Sequence, residues 1–220
     1  MGIYTVIITA GGIGKRMNSD LPKQFIEINE KPILMHTMEQ VYHFNPKFQI
    51  ILTLPEAWKS YWEELLVSHD FRIPHRIVDG GKERYHSIKN ALEYCYGDYV
   101  VVHDGVRPLV SSQTFNRCLE AVEEHGAIIP VVELKESLRV KSDKGTKSVD
   151  RSLYKIVQTP QCFKKDILVK AYSLPFHDGI TDDASLVEAA GFEIKTVVGN
   201  DENIKITRKG DLKFAELYLK

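Results

Sequence analysis

A glycine-rich loop that interrupts an apolar run is the feature that most constrains this chain. The β-branched, apolar residues 3–9 stop abruptly at AGGIG, residues 10–14, and Lys15 and Arg16 follow. A third cation, Lys23, comes shortly afterwards. A buried strand that leads into glycines lets backbone N–H groups approach a ligand closely. Cations beside those N–H groups indicate an anion site, which we interpret as a site for a polyphosphate.

The loop matches neither of two common phosphate-binding motifs. The loop of the P-loop NTPases requires glycine where this chain has Thr9, and Ser or Thr where it has Arg16. The dinucleotide fingerprint requires a third glycine where Met17 stands. A tight strand-to-helix turn with two solvated cations remains the alternative interpretation of the loop alone.

Composition narrows the class of protein. The chain has 220 residues, 43% of them hydrophobic, which suffices for a substantial core. Its net charge is -1, so no global field attracts nucleic acid and we expect no nucleic-acid partner. Three widely spaced cysteines without a CxxC pair indicate neither a disulfide framework nor a zinc site. The absence of a long apolar span predicts a soluble, cytoplasmic protein that does not enter membranes.

Strand-like and helix-like segments alternate through the first 132 residues. Strands are expected at residues 3–9, 48–54, 76–78, 99–102 and 127–132, and helices at 33–44, after Pro55, at 83–96 and after a cap at Ser111 or Ser112. This alternation predicts an α/β fold with a Rossmann-like, mostly parallel twisted sheet and helices on both faces.

Residues 133–155 break the pattern because they are polar and show no helical stripe. Asp143-Lys144-Gly145 is a turn signal between the short alternating segments 137–140 and 148–149. The segment is therefore either a floppy surface hairpin or a protruding β-arm that packs on a partner subunit. A two-stranded ribbon is marginal alone, and such arms often build symmetric dimers.

Alternation resumes after residue 161. Thr181 is expected to cap a helix whose first turn carries Asp182 and Asp183, and Gly191 is expected to end that helix. A strand at 192–198, an extended piece at 203–206 and a last helix capped by Thr207 complete the expected elements.

Polar groups follow several of the predicted strands, at the sheet edge where open α/β sheets bind ligands. Gly81 and Ser87 follow the third strand, and Asp104 follows the fourth. Gly81 would let backbone meet a flat ligand edge and Ser87 would bond a base, although an ordinary turn into a helix explains them equally well. Lys205 lies between two isoleucines, so its side chain points either to solvent or into the site.

Asp104 is a carboxylate at the end of an apolar strand, which is costly unless it is paired or binds a metal. A hard oxygen ligand beside a polyphosphate favours Mg²⁺. An ion pair with Arg107 that fixes the turn is the alternative. We interpret His103 as structural.

Several motifs together resemble one enzyme family. AGGIGKRM, LPKQF, DGGKERYHS, HDGVRP, VDRSLYKIVQTPQCF, TDDAS and ENIKIT are similar to motifs of the 2-C-methyl-D-erythritol 4-phosphate cytidylyltransferases, across nearly the whole chain. The ribitol 5-phosphate cytidylyltransferases are the nearest competitor. The order Asp150-Arg151 and the motif TDDAS favour the methylerythritol family. Two departures are Gly105-Val106, where many members have two alanines, and Lys82, which replaces an acidic residue of some members.

The resemblance implies transfer of CMP from CTP to a polyol phosphate by a single nucleotidyltransferase domain over residues 1–220, a homodimer through the arm at 133–155, and Mg²⁺. It implies catalytic cations, which are Arg16, Lys23 and Lys205. It implies nucleotide-binding residues, which are Ala10, Gly11, Gly12, Gly14, Gly81, Ser87, Asp104 and Arg107. It implies substrate contacts from Arg151 of the other subunit, Ser137, Thr159 and Thr181, and metal contacts from Asp104 and Glu202.

The chemistry of the residues agrees with this activity. A phosphate monoester has a second pKa of about 6, so the nucleophile is already ionised at neutral pH and needs no general base. Fixed cations and Mg²⁺ would reduce the repulsion between two phosphates. A non-catalytic nucleotide-binding module, an alternative of another class, would be expected to lose Asp104 and Lys205, which this chain keeps. A nucleotide-sugar glycosyltransferase would be expected to carry a DxD motif after a strand.

Overall fold

One sheet of eight strands forms the centre of the described chain. The computed structural model describes residues 2–12, 21–143 and 145–219. The strands are β1 (Tyr4–Thr9), β2 (Glu27–Ile28), β3 (Lys31–Pro32), β4 (Gln49–Leu54), β5 (Arg76–Asp79), β6 (Tyr99–Asp104), β7 (Ala127–Glu133), β8 (Leu138–Ser142), β9 (Gly145–Val149), β10 (Lys155–Val157), β11 (Gln161–Lys164) and β12 (Lys195–Val198). The helices are α1 (Ile33–Phe44), α2 (Lys59–Ser68), α3 (Arg84–Leu92), α4 (Ser112–His125), α5 (Lys165–Ala171), α6 (Asp183–Ala189) and α7 (Lys209–Glu216).

The main sheet is mostly parallel. Its order is β5-β4-β1-β6-β11-β7, with β12 and β10 also pairing with β7. Strand β1 runs parallel to both β4 and β6, and β12 runs parallel to β7. Strands β10 and β11 are antiparallel to their neighbours, because the chain turns back after β7 and re-enters the sheet. The predicted α/β class and mostly parallel sheet are confirmed.

Helices cover both faces of the sheet, as the sequence predicts. Strand β1 explains why: Val6, Ile7 and Ile8 are fully buried, and successive side chains of a strand point to opposite faces. Val6 and Ile8 belong to a core cluster with side chains of α1, α2 and α4. Ile7 belongs to a second cluster with side chains of α3, α5 and α6. A strand buried on both sides needs this near-continuous apolar sequence.

Helix starts differ from the predictions at two places. Ser111 caps α4 as predicted, and its hydroxyl accepts from the Thr114 N–H. The prediction for Thr181 is wrong, because Asp182 is the N-cap of α6 and its carboxylate accepts from the Ser185 N–H. The last helix is capped at Arg208 rather than Thr207.

Some boundaries also differ. Pro55 precedes a short 3₁₀ turn, Glu56–Trp58, before α2 begins. The strand expected from residue 192 begins at Lys195. The extended piece at 203–206 belongs to no assigned strand. None of the helices in the described ranges combines the length and apolar character needed to cross a bilayer.

The polar segment at 133–155 contains the predicted ribbon. Strands β8 and β9 pair antiparallel with each other from Leu138–Val149 to Ser142–Gly145, as a separate two-stranded sheet. Most of their residues are exposed. The dimerisation role of this arm stays a prediction.

Candidate active site

A cavity of about 470 Å³ lies at the carboxyl ends of β1 and β6. Its lining includes many predicted residues: Ala10, Gly11, Gly12, Lys23, Gly81, Ser87, Asp104 and Lys205. It also includes residues that the sequence analysis gave no role: Thr9, Gln24, Lys82, Glu83, Arg84 and Val106. The predicted residues Gly14 and Arg16 lie outside the described residues. Segments far apart in sequence therefore meet at the carboxyl ends of the strands, where the sequence analysis predicted a site.

A larger cavity, about 760 Å³, lies elsewhere, beside the amino-terminal ends of β1 and β4. Its lining includes Tyr4, Phe44 and Phe48 and excludes both glycine loops and Asp104. Phosphate chemistry needs N–H groups and cations, which the smaller cavity brings together. Size alone therefore does not locate the chemistry.

The first glycine loop is held at Ala10. The Ala10 N–H donates to the Thr53 carbonyl at 3.0 Å, which extends the sheet by one bond. The Gln24 side-chain amide, almost fully buried, donates to the Ala10 carbonyl at 2.7 Å. Both backbone groups of Ala10 are thus occupied, and the backbone that follows, Gly11 and Gly12, borders the cavity. This role of Gln24 was not predicted, because nothing in the motif LPKQF distinguishes a buried side-chain amide from a solvated one.

The second glycine loop closes against Ser87. The Gly81 N–H donates to Ser87 Oγ at 3.0 Å, and this hydroxyl donates to the Glu83 carbonyl at 3.3 Å. A Cβ on Gly81 would lie 2.2 Å from His86 Cβ, so only glycine fits there. A Cβ on Gly11 would lie 3.6 Å from Ser87 Oγ, which shows that the two loops are adjacent. Both loops border the same cavity, and we refer to the space beside Gly11 and Ser87 as the slot.

Asp104 lies among three cations at the base of the cavity. Its Oδ2 is 3.0 Å from Arg107 Nε and 3.2 Å from Lys205 Nζ, and its Oδ1 is 3.9 Å from Arg84 Nε. Burial alone would raise the pKa of Asp104, but the charges of Lys205, Arg84 and Arg107 hold that pKa well below its usual range. The carboxylate is therefore ionised at neutral pH although Asp104 is buried and only 5% exposed.

Arg107 braces this carboxylate from behind. It donates through Nη1 to the Asn203 carbonyl at 2.7 Å, and it is not among the residues that line the cavity. The predicted ion pair with Asp104 is thus present, and Arg107 does not line the cavity, where its predicted contact with a nucleotide would lie. The Arg107 guanidinium is engaged by the ion pair with Asp104 and by the hydrogen bond to the Asn203 carbonyl.

The residues suit a Mg²⁺ ion that is held jointly by the protein and the substrate phosphates, rather than one held by protein side chains alone. Within the described ranges, no three His, Cys, Asp or Glu side chains converge as a metal site. Asp104 offers one ionised, hard oxygen ligand at the cavity, and a carboxylate plus substrate phosphates is a usual Mg²⁺ arrangement. Glu202 does not join it: its carboxylate accepts from Asn200 Nδ2 at 3.1 Å, and it does not line the cavity.

Two lysines meet near this carboxylate. Lys205 points into the site, which resolves the alternative that the sequence left open. Lys23 Nζ donates to the Ile206 carbonyl at 3.3 Å. Ile206 is fully buried and its N–H donates to the Val106 carbonyl at 3.0 Å, so the segment that carries Lys205 is fixed beside the turn after β6.

His103 and Thr159 support the Asp104 backbone. The Asp104 N–H donates to Thr159 Oγ1 at 3.2 Å, and this hydroxyl donates to His103 Nδ1 at 2.8 Å. His103 Nε2 then donates to the Arg107 carbonyl at 3.1 Å. Burial lowers the pKa of His103 to about 4, so the ring is neutral. Thr159 was predicted to touch the substrate, but it is buried in this chain of bonds and does not line the cavity.

The other predicted substrate contacts lie outside the cavity. Arg151 and Ser137 are exposed, and the Arg151 guanidinium donates to the Lys135 carbonyl. Thr181 lines a separate cavity of about 210 Å³, which shares Glu83 and Arg84 with the 470 Å³ cavity beside Asp104. One chain therefore brings together most of the residues predicted to bind the nucleotide but not the predicted acceptor contacts.

Arg84 connects these two cavities to a buried acid that the sequence analysis missed. Its Nη2 donates to Asp183 Oδ2 at 2.5 Å, and Tyr172 donates to Asp183 Oδ1, also at 2.5 Å. Burial lowers the pKa of Arg84, but Asp183 and Asp104 outweigh burial and raise that pKa above its usual value. The two residues lie 99 positions apart, and the only sequence signal is the acidic pair in TDDAS.

Comparisons with known proteins agree with the motifs. A family profile for "2-C-methyl-D-erythritol 4-phosphate cytidylyltransferase" matches residues 4–220. Proteins of that name from Bacteroides fragilis and Bacteroides thetaiotaomicron are 50% and 47% identical, each over 98% of this chain and 99% of the relative.

Solved structures agree as well. The 4-diphosphocytidyl-2C-methyl-D-erythritol synthase of Anaerococcus prevotii superposes with a TM-score of 0.83 at 28% identity, over 98% of this chain and 95% of the other. The 2-C-methyl-D-erythritol 4-phosphate cytidylyltransferase of Thermus thermophilus gives 0.81 at 27%, over 99% and 98%. The chain belongs to the 2-C-methyl-D-erythritol 4-phosphate cytidylyltransferase family.

Proposed function

We infer that this chain catalyses the reaction that its family name describes, in isoprenoid precursor biosynthesis. CMP is transferred from CTP to 2-C-methyl-D-erythritol 4-phosphate, which yields 4-diphosphocytidyl-2-C-methyl-D-erythritol and pyrophosphate. The observation that carries this conclusion is the ionised Asp104 carboxylate, which shares one cavity with Arg84, Lys205 and two glycine loops and is paired with Arg107 outside that cavity. A backbone-lined slot beside clustered positive charge suits a nucleoside triphosphate.

The residues would act by reducing electrostatic repulsion. An acceptor phosphate oxygen attacks the α-phosphorus of CTP, the new P–O bond forms, and the bond to the leaving pyrophosphate breaks. Lys23 and Lys205 line the cavity on the Asp104 side, where they would neutralise the negative charge that builds up in the transition state. We assign the same role to Arg16 by its motif position.

Base recognition falls to the adjacent loops. Gly11, Gly81 and Ser87 border the slot, and Ala10, whose N–H and carbonyl are bonded within the chain, would hold the first loop in place. Gly12 and Gly14 belong to the same phosphate-side loop by sequence. Gly81 cannot carry a side chain, because its Cβ would clash with His86, so the backbone path of the loop that would contact cytosine depends on glycine.

Mg²⁺ is the cofactor that we propose. Asp104 would hold it together with the phosphates, and the bound ion would add positive charge at the reacting phosphorus. Asp104 is suited to this because it stays ionised at the cavity.

We further propose a cytoplasmic homodimer in which residues 1–220 form one domain and the arm at 133–155 contacts the partner. Large apolar side chains beside the arm are exposed, among them Leu153 at 78% and Ile156 at 42%. Exposed apolar surface of this kind often marks a protein interface. Arg151, which lies outside the cavity of its own chain, would then reach the acceptor phosphate bound by the partner.

The decisive assay measures pyrophosphate release from CTP with 2-C-methyl-D-erythritol 4-phosphate, with ribitol 5-phosphate, and with neither. We expect release only with the methylerythritol phosphate, and its loss when EDTA removes divalent ions. Preference for ribitol 5-phosphate would assign the neighbouring activity instead. CTP binding without turnover on either acceptor would indicate a non-catalytic nucleotide-binding module.

A further inference from the structure

The buried carboxylate of Asp183 has no part in the chemistry described above. It lies in the first turn of α6, is fully buried, and does not line the cavity. A buried carboxylate is costly unless strongly paired. Both of its oxygens are engaged, one by Arg84 and one by the Tyr172 hydroxyl. Its only charged contact in the described ranges is with Arg84, which does face the cavity.

Arg84 is shared between two acids. Its Nη2 bonds Asp183 at 2.5 Å, whereas its Nε stays 3.9 Å from Asp104, beyond hydrogen-bond distance. Asp104 already has two closer cations, Arg107 and Lys205. A third full ion pair would occupy the remaining carboxylate oxygen, Oδ1, and leave Asp104 without a free oxygen for a ligand.

The support beneath Asp183 is rigid. The ring of Tyr172 stacks on Tyr85 with centroids 5.0 Å apart, and Tyr85 follows Arg84 in α3. The Tyr85 hydroxyl donates to the Leu174 carbonyl at 2.6 Å, so the α3 start is tied to the segment after α5. The position of the guanidinium is therefore set by packing on its Asp183 side and not by Asp104.

We propose that Asp183 is a positioning residue, which holds the Arg84 guanidinium back from Asp104 and so keeps Asp104 Oδ1 available at the transfer site. This inference rests on the proposed function, because it assumes that Asp104 takes part in transfer. Arg84 contributes its charge to the cavity without forming a direct bond to the carboxylate. When the Asp183 charge is removed, the guanidinium closes onto Asp104, the nearest remaining acid that it contacts.

The test compares Asp183→Asn with Asp182→Asn. The first variant keeps the side-chain shape and removes the charge that anchors Arg84. The second removes an equal charge one residue away, at the N-cap, where asparagine caps as well as aspartate. We expect Asp183→Asn to lower kcat at least 10-fold with KM for CTP changed less than 3-fold, and Asp182→Asn to leave both unchanged. Asp183→Glu, which keeps the charge, should recover most of the activity.

Two further measurements separate positioning from a general loss of structure. A crystal structure of Asp183→Asn should show an Arg84 nitrogen within about 3 Å of Asp104. Adding Arg84→Gln to Asp183→Asn removes the released cation, so kcat should recover several-fold relative to the single variant. A merely destabilised fold would not be repaired by a second substitution of a contact residue.

The outcomes are distinct. A wild-type enzyme without acceptor-dependent pyrophosphate release would contradict the proposed function itself. An active wild type in which Asp183→Asn behaves like Asp182→Asn would overturn only the positioning role. The same holds for a double variant that is no faster than Asp183→Asn, or for an Arg84 that stays 3.9 Å from Asp104 in the variant structure.

Discussion

Lys23 Nζ lies 3.3 Å from the carbonyl oxygen of Ile206, so a cation from the N-terminal part of the chain contacts the segment that carries Lys205. The two lysines approach the cavity from opposite ends of the sequence, and each is fixed by backbone or by Asp104. A pair of ammonium groups held this way is suited to the charge that develops during phosphoryl transfer.

Replacing either lysine with alanine should therefore remove transition-state stabilisation and leave the fold intact. We expect Lys23→Ala and Lys205→Ala each to lower kcat by about 10²-fold or more, since each loses one charged contact. Steady-state kinetics measures kcat, and a melting temperature equal to that of the wild type shows that the fold is intact. Lys209→Ala, an exposed lysine of α7, serves as the control. Turnover near the wild-type level in both variants would remove these residues from the chemistry.

Ser87→Ala should weaken CTP binding more than it slows chemistry. The hydroxyl accepts from the Gly81 N–H, and its loss leaves that donor without its partner at the base slot. One such hydrogen bond is worth about 1 kcal/mol, so KM for CTP should rise roughly 5- to 10-fold. Ser68→Ala, at an exposed helix end, is the matched control. An unchanged KM would place the cytosine elsewhere.

Arg151→Ala should impair acceptor binding, with KM for 2-C-methyl-D-erythritol 4-phosphate raised and CTP binding intact. If Arg151 serves the partner's site, mixing this variant with Lys23→Ala restores one complete site per mixed dimer. Random exchange should then recover about a quarter of wild-type activity. The control is each variant mixed with itself. Mixed dimers that stay inactive would mean that both residues serve one subunit's site.

His103 should make the fold acid-sensitive between pH 6.5 and 4. Burial lowers its pKa from 6.5 to about 4, so in this window the unfolded chain binds a proton that the folded chain does not. Stability contributed by the neutral ring is full above pH 6.5 and is lost as the pH falls towards 4. The loss amounts to about 3 kcal/mol.

His103→Gln, which cannot titrate, should show a shallower decline in the free energy of unfolding over this range. Urea unfolding at several pH values measures it. His43→Gln, at an exposed position, controls for the substitution itself. Equal slopes in wild type and His103→Gln would contradict the assignment.

Periodicity predicted most of the fold. Buried strands such as β1 and amphipathic helices such as α4 are local features, because a pattern of apolar residues over a few positions indicates each of them. The antiparallel re-entry of β11 between β6 and β7 was not predicted, because pairing partners are set by the whole sheet. The Thr181 cap was wrong because Asp182, an equally good cap, is the residue whose side chain accepts from the Ser185 N–H at the N3 position.

The parts of the site that are formed by loop backbone and by residues at the carboxyl ends of strands were predictable from the sequence. The glycine loops, Asp104 and Lys205 do meet in one cavity. Long-range partners of single side chains were not predictable, as with Arg84 and Asp183 or with Gln24 and Ala10. Thr159 shows the converse: the resemblance assigned its hydroxyl to the substrate, whereas in the structure this hydroxyl bonds His103 and the Asp104 backbone.

The ion cluster around Asp104 also has a consequence for biosynthesis of the protein. Its cations come from residues 84, 107 and 205, so the cluster is incomplete until residue 205 has been synthesised. Ribosomes add about 5–20 residues per second, which places Lys205 roughly 5–20 s behind Asp104. During that interval the nascent chain has its glycine loops but lacks the last charge. We therefore expect chains that stop before residue 205 to bind CTP less tightly than chains that include it, because the last of the three charges is missing.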